Sequence, residues 1–517
     1  MSKKKRARRV GTAGRLAQPV AVEQGPAARA ASADEYEQLH ALCNAHAPDF
    51  WGPFAARSLY WFHEARREWL RREPGIGWCG WSADGSPAEL DPSSSWTPWH
   101  NVLHMSDGPH TARWFVGASL NAAFNECDAA VLSGCGHETA FICEPPGSSH
   151  TTITRRQLLM RSVLAAHALQ RLVDGVNAPR IAIHLPNGED AVVWIQAAKR
   201  LAIPYVAIAA GTSTASLAQR LDDVGASIFI TNSALLRDAV ESTAAAALAS
   251  PTLINVDADD PHSSESTALD VLAGTALMAS AHEALHEAAA KCGISDIEPL
   301  SDPALVRVLW LLVPPKPVES SHPLFILYTS GSTGKPKGIV HTHGGFQIGI
   351  CATSSIALGI SQHSSASRRN GPRDVLLVVA TPGWITGQAY MISAALLTQT
   401  PSVLLDGSPV SPLDRFAAII ARHRVSVLKA GSTFLRMLMT HSEPQRMLAR
   451  HDMTSLRIGT FCAEPVRRRP FLARPSRSAP TRPRCCMGPP VSPGQCHCPR
   501  VRHASLDIGI HQFVLGY

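Results

Sequence analysis

Residues 328 to 338 read Tyr-Thr-Ser-Gly-Ser-Thr-Gly-Lys-Pro-Lys-Gly, and these side chains have the types and spacing to hold a polyphosphate. Thr329 to Gly338 packs four hydroxyl residues, three glycines and two lysines into ten positions. Glycine lets the backbone turn so that successive N–H groups face one point, hydroxyls add donors, and Lys335 and Lys337 add positive charge. Pro336 stiffens the exit. The loop is not a Walker A loop, because Gly331 and Gly334 are separated by two residues rather than four. The competing reading is a flexible Gly/Ser connection.

Two further stretches carry candidate chemistry. In Pro382-Gly383-Trp384-Ile385-Thr386-Gly387, a glycine permits close backbone approach, Trp384 and Ile385 offer apolar walls, and the Thr386 hydroxyl can donate to a carboxylate oxygen. A buried tryptophan after a strand is the plainer alternative. The stretch Leu456 to Pro465 reads as a strand running into a turn at Ala463-Glu464-Pro465, or as an ordinary buried strand that ends at proline.

These stretches need a frame. The apolar run Leu324 to Tyr328 predicts a buried strand leading into the loop. From about Thr151 strands and helices alternate: strand at 180–185, helix at 187–201, apolar run at 205–209, helix at 216–224 and strand at 227–231. Strand-like runs at 375–380, 402–405 and 426–428 follow, with helical spacing at 413–423 between two of them. Such alternation implies parallel sheet flanked by helices, an α/β fold. Upstream, 34–70 is expected to be largely helical and 79–109 irregular. Residues 240–303 suit helices and a long surface loop, and 361–373 a surface insertion.

The chain has 517 residues, enough for a large core and more than one domain or subdomain. Hydrophobic content is 45% and charged content 17%, the balance of a globular protein. No run approaches eighteen uninterrupted apolar residues, so no membrane span is expected. Twelve cysteines show no disulfide framework, and no signal peptide is visible, so reduced thiols in the cytoplasm are the default. The basic start Lys3-Lys4-Lys5-Arg6 leaves a nuclear or mitochondrial address open. An RNA contact is a further alternative, but the favoured reading is a disordered solubilising tail over 1–33, and no nucleic-acid partner is expected. No His/Cys/Asp cluster has metal-cage spacing, and the spacings of Cys485, Cys486, Cys496 and Cys498 fit no standard zinc finger.

Thr329 to Gly338 resembles the phosphate-binding signature of the adenylate-forming superfamily, which includes acyl-CoA synthetases, luciferases and peptide-synthetase adenylation domains. Pro382 to Gly387 resembles the acyl-pocket motif of the acetyl-CoA synthetase subgroup, and Leu456 to Pro465 the strand entering the adenine-contacting turn. Asp49 to Gly52, Trp114 to Gly117, Leu120-Asn121 and Phe124 to Asp128 are similar to the same subgroup. The resemblance implies an adenylate-forming large domain at 111–465 behind an N-terminal extension at 34–110. It implies an ATP-dependent short-chain acyl-CoA ligase that forms an acyl-adenylate and transfers the acyl group to CoA, with magnesium on the ATP phosphates. By resemblance, Thr329, Ser330, Gly331, Ser332, Thr333, Gly334, Lys335 and Lys337 hold phosphate; Ala463, Glu464 and Pro465 flank adenine; Trp384, Ile385 and Thr386 shape the acid site; and Gly211 and Arg220 approach the CoA nucleotide. The subgroup usually has Asp at the position of Thr381, His at that of Gln388 and Gly at that of Ala463. The first two departures favour an acid other than acetate, and a backbone contact survives the third where the dihedral angles suit alanine.

The resemblance stops after Pro465. Residues 466–517 hold nine arginines, eight prolines and four cysteines without periodicity. They read as an aberrant or disordered tail, and the chain as truncated before a small C-terminal domain that, in the family, carries the catalytic lysine. Inactivity of the chain is therefore the expectation, and a nucleotide-binding protein without turnover, or a non-functional gene product, is the rival reading.

Overall fold

The computed structural model describes residues 47–91, 94–105, 112–247, 250–258, 271–329, 336–360, 373–439, 448–462 and 484–486. The expected features at 1–33 and 361–372 lie outside them.

The N-terminal region departs from the sequence expectation. Among the described residues of 34–70, only Ala47–Ser58 is helical. Strands follow at Trp61–His63, Glu68–Glu73, Gly77–Ser82 and Pro87–Glu89, and a hairpin pairs Asn101–His104 with Arg113–Val116. The segment expected to be irregular thus contributes three strands of antiparallel sheet, with irregular stretches between them. The tryptophans are the reason. Trp69 pairs with Trp81 across neighbouring strands and stacks on Phe124 with ring centroids 4.2 Å apart. Cross-strand aromatic pairs stabilise a pleated ladder, so they outweigh the Ser, Pro and Gly around them. This sheet has six strands and takes in Ser119–Leu120 and Val318–Glu319, which ties the extension to later parts of the chain.

The α/β reading holds for the rest. A seven-stranded sheet runs in the order Val271–Ala273, Thr252–Asn255, Ile228–Thr231, Ile181–Ile183, Tyr205–Ala207, Pro323–Thr329, Lys337–Thr342. All pairs are parallel except the last. Its central strands are short apolar runs buried along their whole length, as expected of a sheet covered on both faces. Residues 240–303 contribute two of these strands besides the helix Gly274–Lys291, so they are more regular than the sequence implied.

A second seven-stranded sheet runs in the order Arg484–Cys486, Ile458–Cys462, Val427–Gly431, Leu376–Val379, Ser402–Leu405, Thr139–Glu144, Thr151–Thr154. It is parallel except for the hairpin at its far edge. Its first strand comes from the stretch expected to be aberrant or disordered. Arg484, Cys485 and Cys486 lie between prolines and keep all three backbone N–H groups, so they can join a ladder. The remainder of 466–517 lies outside the described residues.

A buried polar network fastens these layers. Glu126 accepts from Lys199 Nζ at 2.7 Å, Gln196 Nε2 at 2.6 Å and Gln347 Nε2 at 3.1 Å. Asp128 accepts from Arg200 Nη1 at 2.9 Å and Trp310 Nε1 at 2.6 Å. Asn121 Nδ2 reaches the carbonyls of Lys199, Arg200 and Lys316. The stretch Phe124 to Asp128 is therefore a structural clamp on the C-terminal end of the helix Glu189–Arg200. No helix of the described residues is long and apolar enough to cross a membrane.

Candidate functional site

The phosphate-loop candidates sit at a hairpin. Thr329 ends the strand Pro323–Thr329 and pairs directly with Lys337, the first residue of the antiparallel strand Lys337–Thr342. Lys337 is exposed. Ser330, Gly331, Ser332, Thr333, Gly334 and Lys335 lie outside the described residues. The hairpin leaves the carboxyl end of a parallel strand, beside the carboxyl end of Tyr205–Ala207. In open α/β sheets that end is where ligands bind.

Arg220 belongs to this hairpin rather than to Gly211. Its guanidinium lies 5.5 Å from the centre of the Tyr328 ring, and its Nε is buried without a hydrogen-bond partner. Tyr328 in turn donates its hydroxyl to Asp223. Burial, then the Asp223 carboxylate, pushes the Tyr328 phenol up, and burial lowers Arg220. Gly211 is exposed in the turn after Tyr205–Ala207, at φ 82°, ahead of the helix Thr214–Val224 in which Arg220 lies. The two residues assigned together by resemblance are thus held in different places.

The turn 381–387 is fixed by close backbone approach. A Cβ on Gly383 would lie 2.7 Å from the Ala209 backbone nitrogen, and one on Gly387 would lie 2.0 Å from the Thr381 carbonyl oxygen. Only glycine fits at either position without moving backbone. Gln388, fully buried, accepts the Tyr205 hydroxyl at 2.7 Å and donates to the Pro382 carbonyl at 2.8 Å. The residue that departs from the subgroup's usual histidine is therefore the one that braces the turn. Asn187 Nδ2 donates to the carbonyls of Ala380 and Leu405, at 2.8 and 2.9 Å, and so links the first sheet to the second. Its role had no signal in the sequence beyond its place in the loop after a strand.

Trp384 is 65% exposed, which removes the reading of a tryptophan buried in the core. Ile385 and Thr386 are half-buried. Thr386 Oγ1 lies 3.6 Å from Cys462 Sγ, and Ser432 Oγ donates to the Cys462 carbonyl at 3.0 Å. Cys462 ends the strand Ile458–Cys462, which confirms the strand expected before Ala463. Arg457 anchors the start of that strand through paired contacts to Asp374, at 2.7 and 2.6 Å. Ala463, Glu464 and Pro465 lie outside the described residues. Lys429, in the neighbouring strand, places its ammonium 4.2 Å from the centre of the Tyr390 ring, behind the turn. Thr460 and Thr381 each carry a buried hydroxyl oxygen without a hydrogen-bond partner.

The geometry joins three separate stretches. The turn 208–211 leaves the strand beside the loop hairpin, Gly383 presses on Ala209, and Thr386 meets Cys462. Sequence reasoning missed Cys462 as a site neighbour, because a lone thiol at a strand end has no local signature.

Comparison with known proteins shows what the chain is similar to. Residues 129–471 match the family described as AMP-binding enzyme. An acetyl-coenzyme A synthetase from Mycobacterium tuberculosis is 32% identical over 375 residues, covering 72% of this chain and 53% of that protein. One from Deinococcus radiodurans is 30% identical over 374 residues, covering 71% of this chain and 52% of its own length. A 3-hydroxypropionyl-coenzyme A synthetase from Sulfurisphaera tokodaii is 29% identical over 380 residues, covering 71% and 51%. The chain spans about half the length of the curated relatives it matches. With its hairpin, turn and strand motifs placed at the carboxyl ends of two parallel sheets, the chain belongs to the AMP-binding enzyme family.

Proposed function

We propose that this chain binds ATP and a short-chain carboxylic acid as the large domain of an AMP-forming acid–CoA ligase. The observation that supports this most is the contact of Thr386 with Cys462, with Gly383 against Ala209. Together they set the turn 381–387 beside the strand Ile458–Cys462 and next to the strand Tyr205–Ala207, which neighbours Pro323–Thr329.

Attack of a carboxylate on the α-phosphate is opposed by charge repulsion and by the need for alignment. The hairpin's lysines and hydroxyls would neutralise and hold the phosphate oxygens. The Thr386 hydroxyl would donate to the acid. Ile385 would limit the length of the acid, and the exposed Trp384 ring is free to lie over the occupant. The acetate and 3-hydroxypropionate named by the relatives are both short acids, which suits a small site. Magnesium bound with ATP would neutralise phosphate charge. The one carboxylate among the described contacts of the phosphate strand, Asp223, is taken by Tyr328, so the described residues offer no magnesium cage there. Magnesium is held mainly by phosphate oxygens and water in such sites. The CoA contact at Gly211 and the cytoplasmic location are part of the same proposal.

The test is calorimetry of ATP and AMP binding to residues 1–517, with acid-dependent exchange of pyrophosphate into ATP as the chemical readout. Gly334→Val should abolish nucleotide binding by blocking close phosphate approach. Unchanged affinity in that variant would remove the loop from the proposal.

A further inference from the structure

A second cluster of coordinating side chains lies at the opposite edge of the second sheet. Glu144 is the last residue of the strand Thr139–Glu144, four strands from Cys462, or roughly 19 Å at the usual strand spacing. His150 lies in the hairpin loop that follows, and His423 ends the helix Arg415–His423. One ligand atom from each of Glu144, His150 and His423 lies within 4.8 Å of the other two.

The cluster is built rather than incidental. The Glu144 backbone carbonyl accepts from Arg415 Nη2 at 2.8 Å and from the Asp406 N–H at 3.1 Å. Its side chain and that of His423 are only 5% and 7% exposed, and His423 Nε2 lies 2.6 Å from Glu144 Oε1. Arg422 Nη1 donates to the same Oε1 at 2.7 Å. Both contacts fall on Oε1, and no hydrogen bond of the described residues reaches Oε2. The His150 ring meets His423 edge-on with centroids 4.8 Å apart, and its nitrogens make no hydrogen bond among the described residues. Glu144 Oε2 and the His150 ring nitrogens are thus left without hydrogen bonds among the described residues, within a cluster whose ligand atoms lie within 4.8 Å of one another.

We propose that Glu144, His150 and His423 form a binding site for a divalent transition metal of the zinc class, joining the Thr139–Thr154 hairpin to the helix Arg415–His423. Two imidazoles and one carboxylate suit zinc, cobalt or nickel rather than calcium or magnesium, which select oxygen. Ligands of a tetrahedral zinc stand about 3.3 Å apart, given bonds of about 2.0–2.1 Å, so side-chain rotations of an ångström or so complete the site. The exposed His150 is the element free to make that movement. A fourth position would be left to water. The Arg422 guanidinium, itself cationic, opposes the charge of the metal and would remain on Oε1 while the metal takes Oε2.

The proposal is independent of the nucleotide reading, and its test uses no activity. Residues 1–517, stripped by chelator, are titrated with Zn2+ by calorimetry and with Co2+ by visible absorption. One equivalent should bind, with a cobalt spectrum of a four-coordinate site and a rise in the thermal midpoint. His150→Ala, at an exposed loop position, should weaken binding at least tenfold and remove the cobalt band, with the fold kept by circular dichroism. The exposed pair His282 and His286, stacked one turn apart on the helix Gly274–Lys291, is the rival donor set. Zinc binding lost in His282→Ala but intact in His150→Ala would overturn the proposal, as would no zinc binding by the parent chain.

Discussion

Thr386 and Cys462 come from stretches 76 positions apart, yet their Oγ1 and Sγ atoms lie 3.6 Å from each other. The turn 381–387 and the strand Ile458–Cys462 therefore form one wall. Ile385, next to Thr386, is half-buried and packs against the main hydrophobic core.

That position sets the first expectation. Ile385→Gly should enlarge the acid site and move preference toward longer acids. One or two methylenes are worth about 1–3 kcal/mol, so the shift should be roughly ten- to two-hundred-fold at most. The readout is pyrophosphate exchange across acids of increasing length. An unmoved chain-length profile would show that Ile385 lines something else.

Gln388 provides a test of positioning. Gln388→Leu keeps the volume but leaves the Tyr205 hydroxyl and the Pro382 carbonyl without their partner. Each unpaired buried polar group costs about 1–3 kcal/mol. Denaturation in urea should show a loss of that size or up to twice it. The double variant with Tyr205→Phe should recover part of the loss, and equal losses in the single and double variants would argue against a coupled pair.

The buried Lys199–Glu126 pair makes a sharper prediction. Both side chains are fully buried at a separation of 2.7 Å. Lys199→Met should destabilise by about 3–5 kcal/mol, because Glu126 keeps its charge with one cation fewer. Adding Glu126→Gln should restore most of the loss. A double variant no more stable than Lys199→Met would show that the network is needed for packing rather than for charge balance.

Acid sensitivity follows from buried histidines. Burial, then the charges of His322 and Lys199, holds His343 well below the usual histidine range, and burial lowers His184. His343 Nδ1 accepts the Ala122 N–H, which requires the neutral ring. The unfolded chain takes up protons near pH 6.5 that the fold refuses, so it binds more protons than the native state below that pH. Stability should thus be complete above about pH 6.5 and fall as the pH drops toward 5. His343→Asn keeps an acceptor and should flatten the slope in urea midpoints measured between pH 7.5 and 5.5. An unaltered slope would place the acid loss elsewhere.

The α/β frame was legible because its strands are short apolar runs and its helices are amphipathic: 402–405 was read with its observed bounds, and Arg415–His423 to within two residues. The strands at 61–89 were missed because their stability lies in tryptophan pairs between strands, which no local period reveals. The Glu144, His150 and His423 cluster was invisible for a related reason. Its members are contributed by a strand end, a loop and a helix end, and only the pairing of Thr139–Glu144 with Ser402–Leu405 brings them together. Gly211 and Arg220 were assigned together by resemblance, which says nothing of side-chain direction; the structure turns Arg220, inside the helix Thr214–Val224, toward Tyr328.

The place of Thr139–Glu144 in its sheet also bears on how the chain is made. Its neighbour on one side, Thr151–Thr154, follows at once, but its other neighbour is Ser402–Leu405. At elongation rates of about 5–20 residues per second, the ribosome needs roughly 13 to 50 s to supply that partner. During that interval the strand carrying Ala140 and Phe141, both fully buried at the end, has one open edge. A nascent chain of this protein therefore spends much of its synthesis with a sticky hairpin waiting for a strand that has not been translated.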